Sequence, residues 1–195
     1  MKCKFMGESK FKLWFWQRKV RSVLRHATAA RKTSGLSDAY RIGIYHAFRN
    51  AQEMESLLGF AARLTQAGKR VKVLTYVPAK TMPRPEAQEG FVSFFCKRDV
   101  DWRFFPRREI NPGLEDFLTG DYDLLLDFSA EFHYTDVAVM AMCDACMKVG
   151  KFTPWNLKVN DLCLAPEAGE NHVEGFIKAL ETYMPLFDGA QNQKK

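Results

Sequence analysis

"YDLLLDFS" (residues 122–129) sets three leucines in a row between Asp123 and Asp127, with Phe128 and Ser129 following. A strand with one wet face alternates apolar and polar residues. A short, unbroken apolar run belongs instead to a strand covered on both faces, the usual state of strands in a parallel sheet flanked by helices. The segments on either side agree. Downstream, "TDVAVMAMCDACMKVG" (135–150) reads as one helix with Thr135 as its cap, "LKVNDLCLAP" (157–166) as a strand, and "ENHVEGFIKALETYMPLF" (170–187) as a closing helix. In that last helix Val173, Phe176, Ile177 and Leu180 share a face, and Pro185 stops it.

Upstream, "YRIGIYHAF" (40–48) is a short β-rich run, followed by "NAQEMESLLGFAARLTQAGKR" (50–70). Asn50 with Glu53 three positions on predicts an N-cap, Met54, Leu57, Leu58, Ala61 and Leu64 predict the buried stripe, and Gly68 predicts the stop. "VKVLTYVP" (71–78) is a second strand ending at Pro78. After a loop containing Pro83 and Pro85, "FVSFFCKRDV" (91–100) reads as an edge strand and "GLEDFLTG" (113–120) as a short helix. Five strands alternating with helices predict right-handed crossovers. The expected fold is α/β: a Rossmann-like or flavodoxin-like three-layer sandwich with a mostly parallel sheet.

The first 33 residues have a different character. They hold ten Lys or Arg against the single acid Glu8, whereas the rest of the 195-residue chain carries 19 basic and 22 acidic residues. Within "FKLWFWQRKVRSVLRHATAARK" (11–32), a helical period puts Leu13, Trp16, Val20, Val23, Leu24 and Ala27 on one stripe. Arg18, Arg21, Arg25 and Lys32 gather on another face, near Phe11 and Trp14. The segment is therefore expected to be a basic amphipathic helix with three open readings: an apolar stripe docked on the body, a phosphate-binding face for RNA or a ribonucleoprotein, or a foot on a membrane surface. The expected organisation is a basic arm and linker over 1–38, an α/β domain over 39–187 that folds without the arm, and a polar tail over 188–195.

Five cysteines, an odd and sparse set, predict a reducing compartment. The apolar run Leu13–Trp16 is too short for a secretory signal or a spanning helix, so the expected location is cytoplasmic. "CDAC" (143–146) has redox or zinc-knuckle spacing but lacks a second pair and is expected to be buried helix core. The first strand-to-helix turn, "HAFRNAQE" (46–53), contains no glycine, which disfavours the dinucleotide fingerprint and the P-loop and leaves no cofactor or metal expected.

Ligands in doubly wound folds sit at the carboxyl ends of the strands. That rule selects His46 and Arg49, Thr75 and Tyr76, and the loop residues Asp127, Ser129, Glu131 and His133. The loop combines two carboxylates, a hydroxyl and an imidazole, which suits a small-molecule or transferase-like site as an alternative to a non-enzymatic docking protein. "DVDWRFFPRRE" (99–109) adds a second mixture of aromatics and arginines suited to base stacking.

The order of the basic helix, "RIGIYHAF", "VKVLTYVP", "FCKRDVDW", "YDLLLDF…KVG" and "LKVNDLCLA" resembles an uncharacterised family of small α/β proteins found in Bacteroidetes. That resemblance implies the fold and brings no activity. The "YDLLLDF…KVG" stretch is also weakly similar to the N-terminal half of heptosyltransferase-like glycosyltransferases, which implies the fold more than the reaction.

Overall fold

A computed structural model describes residues 10–25, 33–78, 91–166 and 171–189. In chain order the main elements are α1 (Lys10–Arg25), β1 (Arg41–Ala47), α2 (Ala51–Gln66), β2 (Arg70–Val77), β3 (Val92–Cys96), α3 (Pro112–Leu118), β4 (Asp121–Asp127), α4 (Tyr134–Met142), β5 (Asp144–Lys151), β6 (Leu162–Leu164) and α5 (His172–Tyr183). All six strands are parallel, in the order β3-β2-β1-β4-β5-β6. This is the Rossmann order rather than the flavodoxin one, and its direction reverses between β1 and β4.

Local sequence signals account for most boundaries. Asn50 caps α2 by accepting the Glu53 N–H at 2.8 Å, and Gly68, at φ 83°, turns the chain out after it. Asn111 caps α3, whose first residue is Pro112, and Asn171 caps α5 by accepting from the Val173 and Glu174 amides. β4 is buried from Leu124 to Asp127 because helices cover both faces.

The two faces carry separate cores. Ile42, Ile44, Leu124, Leu126 and Val149 point toward α2 and α5, where they meet Leu57, Phe60, Phe176 and Leu180. Tyr45, Leu74 and Leu125 point the other way, toward α1, α3 and α4. The arm stripe docks here: Trp16 and Val20 are 0% and 1% exposed, and α1 lies against α4. Leu13, Val23 and Leu24 are half-buried, and Ala27 lies outside the described residues.

Two expectations need correction. The helix expected over 135–150 stops at Met142, and after the single residue Cys143 the chain becomes β5, a sixth strand. Ala145, Met147 and Val149 are its buried apolar side chains, and Lys148 among them disguises the run. Lys148 is itself 1% exposed, because its ammonium donates to the Met140 carbonyl at 2.7 Å in the last turn of α4, where a cation is favoured. The last strand is also shorter than expected: β6 is three residues, and Asn156–Lys158 forms a 3-10 turn instead.

"CDAC" therefore straddles a helix end and a strand start rather than lying within a helix. Cys143 is fully buried, which pushes its thiol up to about 12; Cys146 is half-buried, and both are free thiols. Among the described residues no three His, Cys, Asp or Glu side chains cluster as metal ligands. Cys143→Ala is expected to cost about 1 kcal/mol or more in urea unfolding, and Cys146→Ala less. Stoichiometric zinc in the purified protein would overturn the structural reading of the pair.

Candidate functional site

Two regions gather the chemistry. The first is the outer face of α1. With Trp16 and Val20 turned inward, the helix presents Phe11, Trp14, Arg18, Arg21 and Arg25 outward. Phe11 is 64% exposed and Trp14 51%. The stretch at 99–109 folds back beside them through an antiparallel bridge between Val100 and Pro106. Asp101 organises that turn by accepting the Arg103 and Phe105 amides at 2.7 and 2.9 Å, and Phe104 adopts φ 65°, an uncommon conformation for a residue with a Cβ. Phe104 is held by stacking on Tyr134 and by the Lys12 ammonium over its ring.

The same turn fixes α1 in place. Lys19 approaches Asp101 at 3.7 Å and lies over the buried Phe105 ring, 4.0 Å from its centroid. Burial holds the Lys19 ammonium below its usual range. Trp102 meets Phe15 edge-on, and Phe15 in turn meets Phe11 and Trp14, so aromatics 80 and more positions apart in sequence form one cluster. Arg18 lies over Trp14 and Arg103 over Trp102, each at 5.5 Å. A shallow groove of about 290 Å³ is lined by Trp14, Gln17, Arg18, Arg21 and Arg25. None of these three arginines has a carboxylate partner among the described residues. Lys32, expected on the same face, lies outside the described residues.

The second region is the crest of the sheet at the β1–β4 reversal. Asp127, at the end of β4, is 1% exposed and accepts the Ser129 N–H at 2.9 Å. Burial raises it to about 6 despite help from Ser129. Beside it Asp136, from the first turn of α4, accepts the Tyr45 hydroxyl at 2.6 Å. Burial, and then the charge of Asp127, holds Asp136 well above the carboxylate range, while Tyr45 is raised by its own burial and by Asp136. Two buried carboxyls that feel each other's charge do not ionise together freely, which favours the protonated form of Asp136. Such a pair is equipped to donate a hydrogen bond or a proton to a ligand oxygen.

On the opposite face of the same crest lies His46. It is 1% exposed, and neither ring nitrogen has a hydrogen-bond partner among the described residues. Burial, then His172 and Arg49, hold it down to about 4. His172, at the start of α5, is lowered to about 4 by burial and by Lys151 and Arg49. Arg49 pairs with Glu53 at 3.1 Å, and Lys151 donates to the Ala130 carbonyl at 2.9 Å. Asn160 reaches the crest because Gly150 has no side chain: a Cβ there would meet the Asn160 amide and would stand 3.2 Å from the Cβ of Asp127.

Of the residues selected from sequence, His46, Arg49, Asp127 and Ser129 are gathered at this crest. Glu131 and His133 remain exposed on the connection to α4, where His133 occupies the N-cap position without a side-chain cap bond. Thr75 and Tyr76 are buried within and beside the sheet. Tyr45, Asp136 and His172 carry no such signal in the sequence: each is an ordinary residue in its own segment and reaches the crest only by folding.

The chain belongs to a family of unknown function, DUF6913. The match to that family covers residues 12–187, from α1 to the turn that follows α5. No curated protein and no solved structure matches the chain. No helix among the described residues is long and apolar enough to cross a membrane.

Proposed function

We propose that the protein docks on single-stranded RNA, or an RNA-bearing particle, through the outer face of α1 together with the Trp102 turn. The observation that carries this reading is the union of the two segments into one surface. Exposed Trp14 and Trp102 rings offer stacking platforms, and Arg18, Arg21 and Arg25 extend from them along one side of the helix at a spacing suited to successive phosphates. The positive charge of the chain is concentrated on this segment rather than spread over the body. Membrane docking fits less well. An interfacial helix buries its apolar face in lipid, and the apolar face of α1 is already used against α4.

Phosphate contacts release counterions, so affinity must fall with salt. Three contacts on a single strand give a log–log slope of about −2, and Arg21→Ala should lower its magnitude by about 0.7. Trp14→Ala should weaken binding by about 1–3 kcal/mol with little change in slope. Fluorescence anisotropy on a short RNA across a salt series, run beside anionic vesicles, checks both. Binding to vesicles but not RNA, or to neither at low salt, would remove the proposal.

A further inference from the structure

We propose that the crest where β1, β4 and α5 meet binds a small phosphate-bearing metabolite through side chains, with His46 and His172 as its inner contacts and Arg49 and Lys151 at its rim. The first observation is His46. A buried imidazole with both nitrogens unpartnered is costly, and native proteins rarely keep such a group unless water or a ligand completes it. By strand alternation with Ile42 and Ile44, the ring lies on the α2/α5 side, just where β1 ends and α2 begins. The second is that His172 brings another imidazole to the same place from 126 positions away, with its Nε2 also buried and unpartnered among the described residues. Arg49 and Lys151 complete a set dominated by donors; of the nearby carboxylates on this side, Glu53 pairs with Arg49, and Glu174 accepts from Ser56 and Asn171. The Asp127–Asp136 pair faces α4 across the sheet.

This set suits a compact group with several acceptor oxygens and negative charge. A single phosphoryl group fits that description better than a dinucleotide, because the turn after β1 has no glycine to let backbone amides approach a pyrophosphate. The helix N-termini do not supply the site either, since Asn50 and Asn171 already cap α2 and α5. Binding would be coupled to proton uptake. An anion beside two imidazoles that burial and neighbouring cations keep neutral favours their charged forms.

The test uses the full chain, inorganic phosphate at pH 7, and sodium chloride of equal ionic strength as control. The ring nitrogen signals of His46 and His172 should move toward the imidazolium pattern with phosphate and not with chloride, and the melting temperature should rise with phosphate concentration. His172→Gln and Arg49→Gln, both at accessible positions, should each weaken the response about 10-fold or more. His46→Gln tests the fully buried donor; should it fail to fold, the His172 and Arg49 variants still decide. Arg21→Ala should leave the phosphate response of the His46 and His172 ring signals intact, which separates this site from the α1 face. Unmoved histidine signals, an equal response to chloride, or loss of the response in Arg21→Ala would overturn the assignment.

Discussion

Trp16→Ala is expected to cost about 3–5 kcal/mol, a large share of the stability of a domain this size. The indole is 0% exposed and packs edge-on against Tyr134 and Trp155, each with ring centroids 4.9 Å away, and against Phe132. Its Nε1–H donates to the Tyr134 carbonyl at 3.1 Å. Truncation leaves a cavity among three rings and removes the donor to that carbonyl. Trp16→Phe should lose less, because a ring remains. Removing residues 1–33 extends the same argument: it uncovers Phe105, Phe132, Tyr134 and Trp155 on the α4 side of the sheet. The shortened protein is expected to lose its cooperative unfolding transition and to bind a hydrophobic dye. Urea unfolding of both variants checks this. A truncated chain that unfolds as cooperatively as the whole would show instead that the body is self-sufficient, as the patterning of residues 40–187 alone suggests.

Asp127→Asn should stabilise the protein at neutral and alkaline pH. The carboxyl titrates at about 6 in the folded chain, above its ordinary value of 3.8. A raised folded pKa means that the stability linked to its proton is fully present below about pH 4 and lost as pH rises through about 6. Above that, the wild type carries a buried charge that costs on the order of 2–3 kcal/mol. Asparagine removes the charge and keeps an Oδ1 to accept the Ser129 N–H. The variant should therefore gain up to about that amount at pH 8 and nothing near pH 4. His46 and His172 act in the opposite sense, since both titrate near 4: stability linked to their neutral forms is present above about 6.5 and falls away toward pH 4. They are common to both proteins, so they cancel in the difference. A variant no more stable than wild type at pH 8 would refute the prediction. A destabilising carboxylate kept at the end of a central strand is the kind of cost that binding or chemistry explains better than packing does.

Much of the fold was legible because its signals are local. The Leu124–Leu126 run could only be a doubly covered strand, the Asn50–Glu53 pair announced α2, and the stripe of α5 announced its buried face. The α4–β5 region was not legible, because a strand begins one residue after a helix ends and Lys148 breaks the unbroken apolar run expected of a strand covered on both faces. The Met140 carbonyl, delivered by the preceding helix, helps to make a buried lysine tolerable there.

The sites divide along the same line. Period and composition within single segments already implied a mostly parallel sheet, His46, Asp127 and Ser129 at strand ends, and one apolar and one basic face on α1. Packing is what turns Trp16 into the core, joins Trp102 to Trp14 on one surface, and brings Asp136 and His172 to the crest. Those are contacts between residues many tens of positions apart, set by strand order and helix packing, and no local propensity encodes which distant side chain will arrive.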